Sequence, residues 1–255
     1  LVFLLFFPVL LKGQIVPSEL TDRKKTIEDK IAEHRKKAVS ASDISHIAQG
    51  AYLFDITFAN GTKTKYVIKH GGNVEADIEF FEGIRKADEK VKSFVPEYIG
   101  AVDQYTIILE YLPGQEVAIF VSSLPPNQQK PVIDLLLEVF KQQHELLYKS
   151  TGFVMHDYHA FNIIIPEETM REILRNIDDL SKVDRARIEI KFIDGEAFTN
   201  DQINVNKTLK EIRGEVIIKK RWEDNINTSI KNSPKRTRQR IILQEKVRLQ
   251  IEAQR

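Results

Sequence analysis

Asn60-Gly61 stands between two runs of alternating apolar and polar residues, AYLFDITFA before it and TKTKYVIKH after it. Asn-Gly tolerates the left-handed backbone a tight turn demands, so flanked this way it is a strong short-range signal for an antiparallel hairpin. A third strand-like run leads into the pair from Ser45. After His70 the period changes, and NVEADIEFFEGIRKA brings Ile78, Phe81 and Ile84 to one side of a helix. VPEYIGAV and YTIILEYL return to strand character, and Pro113-Gly114 closes them. The chain up to residue 113 therefore predicts a five-stranded antiparallel sheet with one helix inserted after the third strand.

On either side the pattern is helical. Residues 17–38 place Leu20, Ile27, Ile31 and Ala38 at roughly helical spacing among many charges, which reads as an amphipathic surface helix. SSLPPNQQKP reads as a polar linker. Residues 131–149 put Val132, Leu135, Leu136, Val139, Phe140, Leu146 and Leu147 on an inward face. The polar loop of GFVMHDYHAFNIII follows, then a helix near 167–180, then IEIKFID as a strand. The last sixty residues read as charged helices anchored by Trp222. With 255 residues, 42% of them hydrophobic, the chain can bury one core of two lobes or two small ones. The reading is α+β: a terminal segment 1–16, a helical extension 17–44, a sheet lobe 45–113 and a mostly helical lobe 114–255.

The absence of Cys excludes a disulfide framework, a thiolate zinc site and a Cys nucleophile. A net charge of +1 gives no overall attraction for nucleic acid, and none is expected as a partner. The basic cluster Lys235, Arg236, Arg238 and Arg240 reads as a solvated surface, with a nucleic-acid or acidic-lipid patch as the alternative. LVFLLFFPVLLKGQ falls short of the ~20 residues a spanning helix needs, so no stable membrane span is expected. Residues 1–16 fit the core of a signal peptide, or else a buried strand or docked terminal segment. Sequons at Asn60, Asn206 and Asn227 are compatible with secretion but also arise by chance in a chain rich in Asn, Thr and Ser. The first reading places the protein in the secretory pathway, the second in the cytoplasm.

Four polar side chains stand where apolar strands would hold them. Lys69 ends YVIK on the third strand, Asp157 and Asn162 share DYHAFN, and Asp194 ends KFID. Phosphoryl transfer from ATP needs this set. A strand Lys neutralises the α and β phosphates, a carboxylate orients the acceptor hydroxyl and takes its proton, and an Asn and a second Asp hold Mg2+. Strands fix such groups as tightly as transfer geometry requires. His156 and His159 read as loop braces, with His159 also a candidate to support Asp157. The two alone make no metal site, because no third ligand sits at a fitting spacing.

Over roughly residues 45–200 the chain resembles the protein-kinase-like phosphotransferases. It looks most like the branch containing aminoglycoside, choline and ethanolamine kinases, with atypical protein kinases as relatives. The residues that carry the resemblance are Gly152 to Ile164, with His two places after Asp157, together with FIDGEAF and VPEYIGAV…YTIILEYLPG. The resemblance implies a two-lobed fold with ATP between the lobes, its adenine against the backbone of Glu110, Tyr111 and Leu112. It implies that Gly50 marks the phosphate-covering turn. It also implies an acidic partner for Lys69 on the inserted helix. Asp77 fits, with Phe80, Phe81 and Ile84 three, four and seven places on, and Glu75 or Glu79 could serve if the helix turns. Glu196 lines the magnesium site or caps a turn.

Four departures stand out. Met155 replaces a bracing His, Gly195 replaces an aromatic residue and would leave the segment after Asp194 mobile, Gly50 stands alone, and the interval from Asn162 to Asp194 is long. The expected activity is ATP- and Mg2+-dependent transfer to a hydroxyl. A small acceptor is favoured, because no Ala-Pro-Glu segment follows Asp194 and little chain remains for a protein platform. An atypical protein kinase acting on a protein substrate is the runner-up, and a kinase-like scaffold without catalysis is a further reading.

Overall fold

In the computed structural model, which describes residues 16–231 apart from 49, 73 and 215, two helices lead into the sheet. α1 spans Ser18–Asp22 and α2 spans Lys24–Arg35, so the single helix expected over 17–38 is broken at Arg23 and stops short of Ala38. Lys36 ends α2 in the left-handed region, with φ 52°, and Ala38 lies exposed beyond it. Strands β1 (Val39–Ala48), β2 (Ala51–Phe58) and β3 (Lys63–His70) follow as two hairpins. The sheet thus claims residues 39–44, which were expected in the helical extension. Their polar alternation is weak because β1 is an edge strand.

Helix α3 (Val74–Arg85) and the short α4 (Glu89–Lys92), which the sequence reading missed, connect β3 to β4 (Tyr98–Asp103) and β5 (Thr106–Glu110). The sheet is antiparallel in the order β1-β2-β3-β5-β4, which puts β3 in the centre. The β2–β3 turn is wider than a two-residue one. Phe58 exchanges bonds with Gly61 and Thr62, and among the turn residues only Gly61 has positive φ (82°).

Strand alternation separates the two faces. Phe54, Ile56, Tyr66, Ile68 and Ile108 point outward, where Leu20, Ile27 and Ile31 of α1 and α2 cover them. Arg23 reaches Asp103 at 2.5 Å, and Arg35 reaches Glu97 at 2.6 Å, across the same face. Ala51, Val67, Ile107 and Leu109 point the other way, into a core shared with α3 and the helical half.

The rest is mostly helical. β6 (Gly114–Glu116) leads into α5 (Val117–Ser123) and α6 (Pro126–Thr151). Gly114 is not a mere closure. It opens a strand, and a Cβ there would collide with the Ile165 carbonyl. SSLPPNQQKP is largely helix rather than linker, since a proline suits the first turn, where Pro126 sits. The buried stripe of α6 runs through Gln143, His144 and Leu147, while Leu146 is exposed, contrary to expectation.

β7 (Val154–Met155) and β8 (Ile163–Pro166) flank the polar loop, and α7 (Glu167–Arg175) follows. Of IEIKFID only β9 (Lys191–Phe192) pairs, against β8 in a sheet of order β6-β8-β9. β10 (Phe198–Thr199) pairs with β7. α8 (Gln202–Gly214) and α9 (Val216–Lys231) follow, with Trp222 fully buried against Phe140. Among the described residues no helix is long and apolar enough to cross a membrane. Residues 1–15 of the terminal segment and the basic cluster 235–240 lie outside the described residues.

Candidate active site

Lys69 is brought by the central strand to a point between α3 and the turn after β9. Its Nζ lies 2.5 Å from Asp77 Oδ2 and 2.7 Å from Asp194 Oδ1, all three side chains being buried. Asp77 is buried because it falls on the apolar stripe of α3, in register with Val74, Phe80, Phe81 and Ile84. The acidic alternatives lie elsewhere: Glu75 is exposed, and Glu79 is exposed and accepts from Asn200 at 3.0 Å. Burial alone would lower the Lys69 pKa, but Asp194 and Asp77 outweigh it and hold the ammonium above its ordinary value. Burial and the like charge of Asp194 push Asp77 up despite Lys69 beside it. Two carboxylates thus share one ammonium. Asp194 Oδ2 is left buried and without a hydrogen-bond partner.

Gly195 is the opposite of a loose point. Its N–H donates to Asp77 Oδ1 at 2.8 Å, and Phe80 stacks on Phe198 with centroids 4.2 Å apart. A Cβ on Gly195 would lie 2.8 Å from Asp77 Oδ1 and 2.9 Å from Asp77 Cα. The mobility expected after Asp194 is corrected: Gly195 is bonded to Asp77, and only glycine lets α3 approach so closely. Gly195→Ala is therefore expected to cost ~1–3 kcal/mol by overpacking. A melting curve showing no loss would refute the close approach.

A cleft opens to solvent beside the triad. Ala51, Val67 and Leu109 line its sheet side, Asn162, Ile164 and Ile193 the helical side, and Glu110, Tyr111 and Leu112 the connection between them. Lys69 and Asp194 stand in the same wall. Gly50 has positive φ (71°) in the β1–β2 turn and bonds His70, but its neighbour Ala51, not Gly50, lines the cleft. Asn162 is buried; its carbonyl accepts from Ile193 N–H at 3.2 Å, which places it next to the Asp194 segment. Glu196 is half-buried in the turn after Asp194, and burial followed by the charge of Asp194 raises its pKa.

Asp157 sits one short turn from Asn162, whose Nδ2 donates to the Asp157 carbonyl at 3.2 Å. Its side chain is 31% exposed, so an external group can reach it. Oδ1 accepts from Arg221 Nη2 at 2.8 Å, and His159 Nε2 lies 3.2 Å away. His156 braces the loop through its backbone N–H to Ala197, not through its exposed ring. Met155 is fully buried, and its N–H donates to His144 Nε2 at 2.9 Å. That imidazole comes from α6 and is pushed down to about 4 by burial.

Sequence reasoning missed His144, Arg221 and Asn225. His144 carried a usable signal, a titratable residue on an apolar helical stripe, as Asp77 did. Neither a known family model nor a curated protein matches the chain.

Proposed function

We propose that the protein is an ATP- and Mg2+-dependent phosphotransferase with a protein-kinase-like, two-lobed fold, acting on a hydroxyl acceptor. The observation that carries this reading is the Lys69–Asp77–Asp194 cluster, drawn from a central strand, a helix and the turn after β9, with Lys69 and Asp194 in the wall of an apolar cleft. An apolar slot beside a charged end suits a purine nucleotide. Ala51, Val67, Leu109 and Ile164 would flank the base, and the ammonium of Lys69 would meet the phosphates.

The donors fit magnesium. Asp194 Oδ2 is a buried acceptor lacking a partner, and Asn162 lines the same cleft. Among the described residues no group of three or more His, Asp or Glu could hold a metal alone. That agrees with an ion taking one or two protein ligands and completing its shell with phosphate oxygens and water. Bound there, Mg2+ would supply charge neutralisation of the phosphates.

The protein's own part is positioning and electrostatics. Lys69, kept charged by its two carboxylates, holds the phosphates. Asp157 orients the acceptor hydroxyl and accepts its proton. The new bond joins the acceptor oxygen to the γ phosphorus, the bond from that phosphorus to the β–γ bridging oxygen breaks, and the electron pair leaves with ADP.

A small acceptor is the better reading. Between Asp194 and α8 lie only one tight turn, the two residues of β10 and a short connection, and α8 and α9 then fold back onto the loop. Amino alcohols, sugars and aminoglycosides are the classes to screen, with a generic protein substrate as the competing arm.

Mg·ATP at 100 times its dissociation constant should raise the unfolding free energy by ~2.7 kcal/mol. For a chain of this size that is roughly a 5–10 °C rise in melting temperature. Chelating the magnesium should remove most of the rise. Asp157→Ala should keep this protection while losing ~10²–10⁴-fold in turnover. No shift at millimolar Mg·ATP sinks the proposal, and protection without any turnover in the wild type marks a nucleotide-binding scaffold.

A further inference from the structure

One face of α9 grips the polar loop at successive residues. Arg221 Nη2 donates to Asp157 Oδ1 at 2.8 Å and to His159 Nε2 at 2.6 Å. Trp222 Nε1 donates to the Tyr158 carbonyl at 3.0 Å. One turn further on, Asn225 Oδ1 accepts from Ala160 N–H at 3.0 Å and lies 3.2 Å from His159 Nδ1. These bonds are mutually consistent. Arg221 can only donate, so His159 Nε2 is the bare nitrogen and Nδ1 carries the proton offered to Asn225. The guanidinium also lies over the Tyr158 ring, 5.3 Å from its centroid, and the Tyr158 hydroxyl donates to Glu211 of α8 at 2.7 Å.

Both partners of this ion pair keep about a third of their side chains in solvent, which screens it, so its contribution to stability is ~1 kcal/mol at most and gives the arrangement little purpose by itself. Orientation gives it more. A carboxylate on its own rotates readily about its last torsion. Catalytic alignment tolerates only ~10–20° of error. Here Oδ1 is held by a planar donor whose other bond fixes the neighbouring ring, leaving Oδ2 for the incoming hydroxyl.

We propose that Arg221 is a positioning residue for phosphoryl transfer: it clamps Asp157 Oδ1 against His159 so that Oδ2 faces the acceptor. The inference rests on the phosphotransferase reading above. In the step it serves, the hydroxyl proton passes to Asp157 Oδ2 as the acceptor oxygen bonds to the γ phosphorus and ADP departs.

The test measures Mg·ATP hydrolysis, with water as the acceptor, for wild type, Arg221→Ala and Arg221→Lys. Misplacing a reacting group by about 1 Å costs ~10²-fold, so Arg221→Ala should lose close to that in kcat, with the KM for Mg·ATP and its thermal protection little changed. Added methylguanidinium should restore part of the loss. Lys keeps the stem and charge but not the planar fork, so Arg221→Lys should fold and still be slow. That variant decides the matter if Arg221→Ala does not fold. Unchanged kcat in either variant overturns the assignment while leaving the phosphotransferase reading standing. A parallel loss of kcat and nucleotide protection, with no rescue, also overturns it and marks a structural pair. A wild type with neither protection nor turnover sinks both readings together.

Discussion

Asp194→Asn is expected to raise the melting temperature of the ligand-free protein while eliminating magnesium-dependent protection by ATP and all turnover. The triad buries one ammonium and two carboxylates, so one negative charge is left over, and Asp194 Oδ2 has no hydrogen-bond partner to disperse it. Burying an uncompensated charge costs several kcal/mol, whereas leaving an amide donor unpaired costs ~1–3 kcal/mol. The substitution keeps the shape of the side chain and leaves Lys69 paired with Asp77, so the first cost should outweigh the second. A gain of ~1 kcal/mol corresponds to roughly 2–4 °C at this size. Asp77→Asn is the contrasting case. Both oxygens of Asp77 are engaged, by Lys69 and by Gly195 N–H, so that variant should melt lower than wild type. Thermal melts of the two variants without nucleotide would settle it, and a lower melting temperature for Asp194→Asn would show that the triad is internally balanced.

Acid should weaken the fold through His144. Its ring is buried on α6, accepts the Met155 N–H and is held down to about 4 by burial, against about 6.5 in the unfolded chain. Between these values the unfolded chain binds a proton that the folded one refuses. Stability from this group is complete above pH 6.5 and falls as the pH drops towards 4. The gap corresponds to roughly 3 kcal/mol, a large fraction of what holds a domain together. His144→Gln offers a carbonyl to Met155 and has no proton to gain. Urea unfolding at pH 7 and pH 4.5 should therefore show a markedly smaller acid loss in His144→Gln than in wild type. Equal losses in the two proteins would assign the acid sensitivity elsewhere.

What could be read from the sequence follows from the range of each signal. The sheet, the inserted helix and the pairing of Lys69 with an acid of that helix depend on local periodicity. Asp77 occupies a stripe position between Val74 and Phe80–Phe81, which is why it, and not Glu75 or Glu79, meets the lysine. Residues 39–44 escape a local reading because an edge strand need not alternate strongly, and Leu146 because it stands one position off the stripe that Gln143 and Leu147 define. Pro126 and Pro131 mask a helix that tolerates both near its start. Arg221 and Asn225 are out of reach. They flank the buried stripe of Ile218, Trp222 and Ile226 and look like solvated residues until α9 is laid against the loop. No local pattern sets that contact, since more than sixty residues separate its ends.

Order of synthesis gives that contact a further consequence. Every group in the cleft wall, from Ala51 to Asp194, leaves the ribosome before α9 does. A nascent chain that ends before Val216 can already assemble the sheet and the lysine–carboxylate cluster, yet the bonds that Arg221, Trp222 and Asn225 make to residues 157–160 are still missing. If the protein is a phosphotransferase, the growing polypeptide gains a place for nucleotide first and the means to spend it only once its last described helix has emerged.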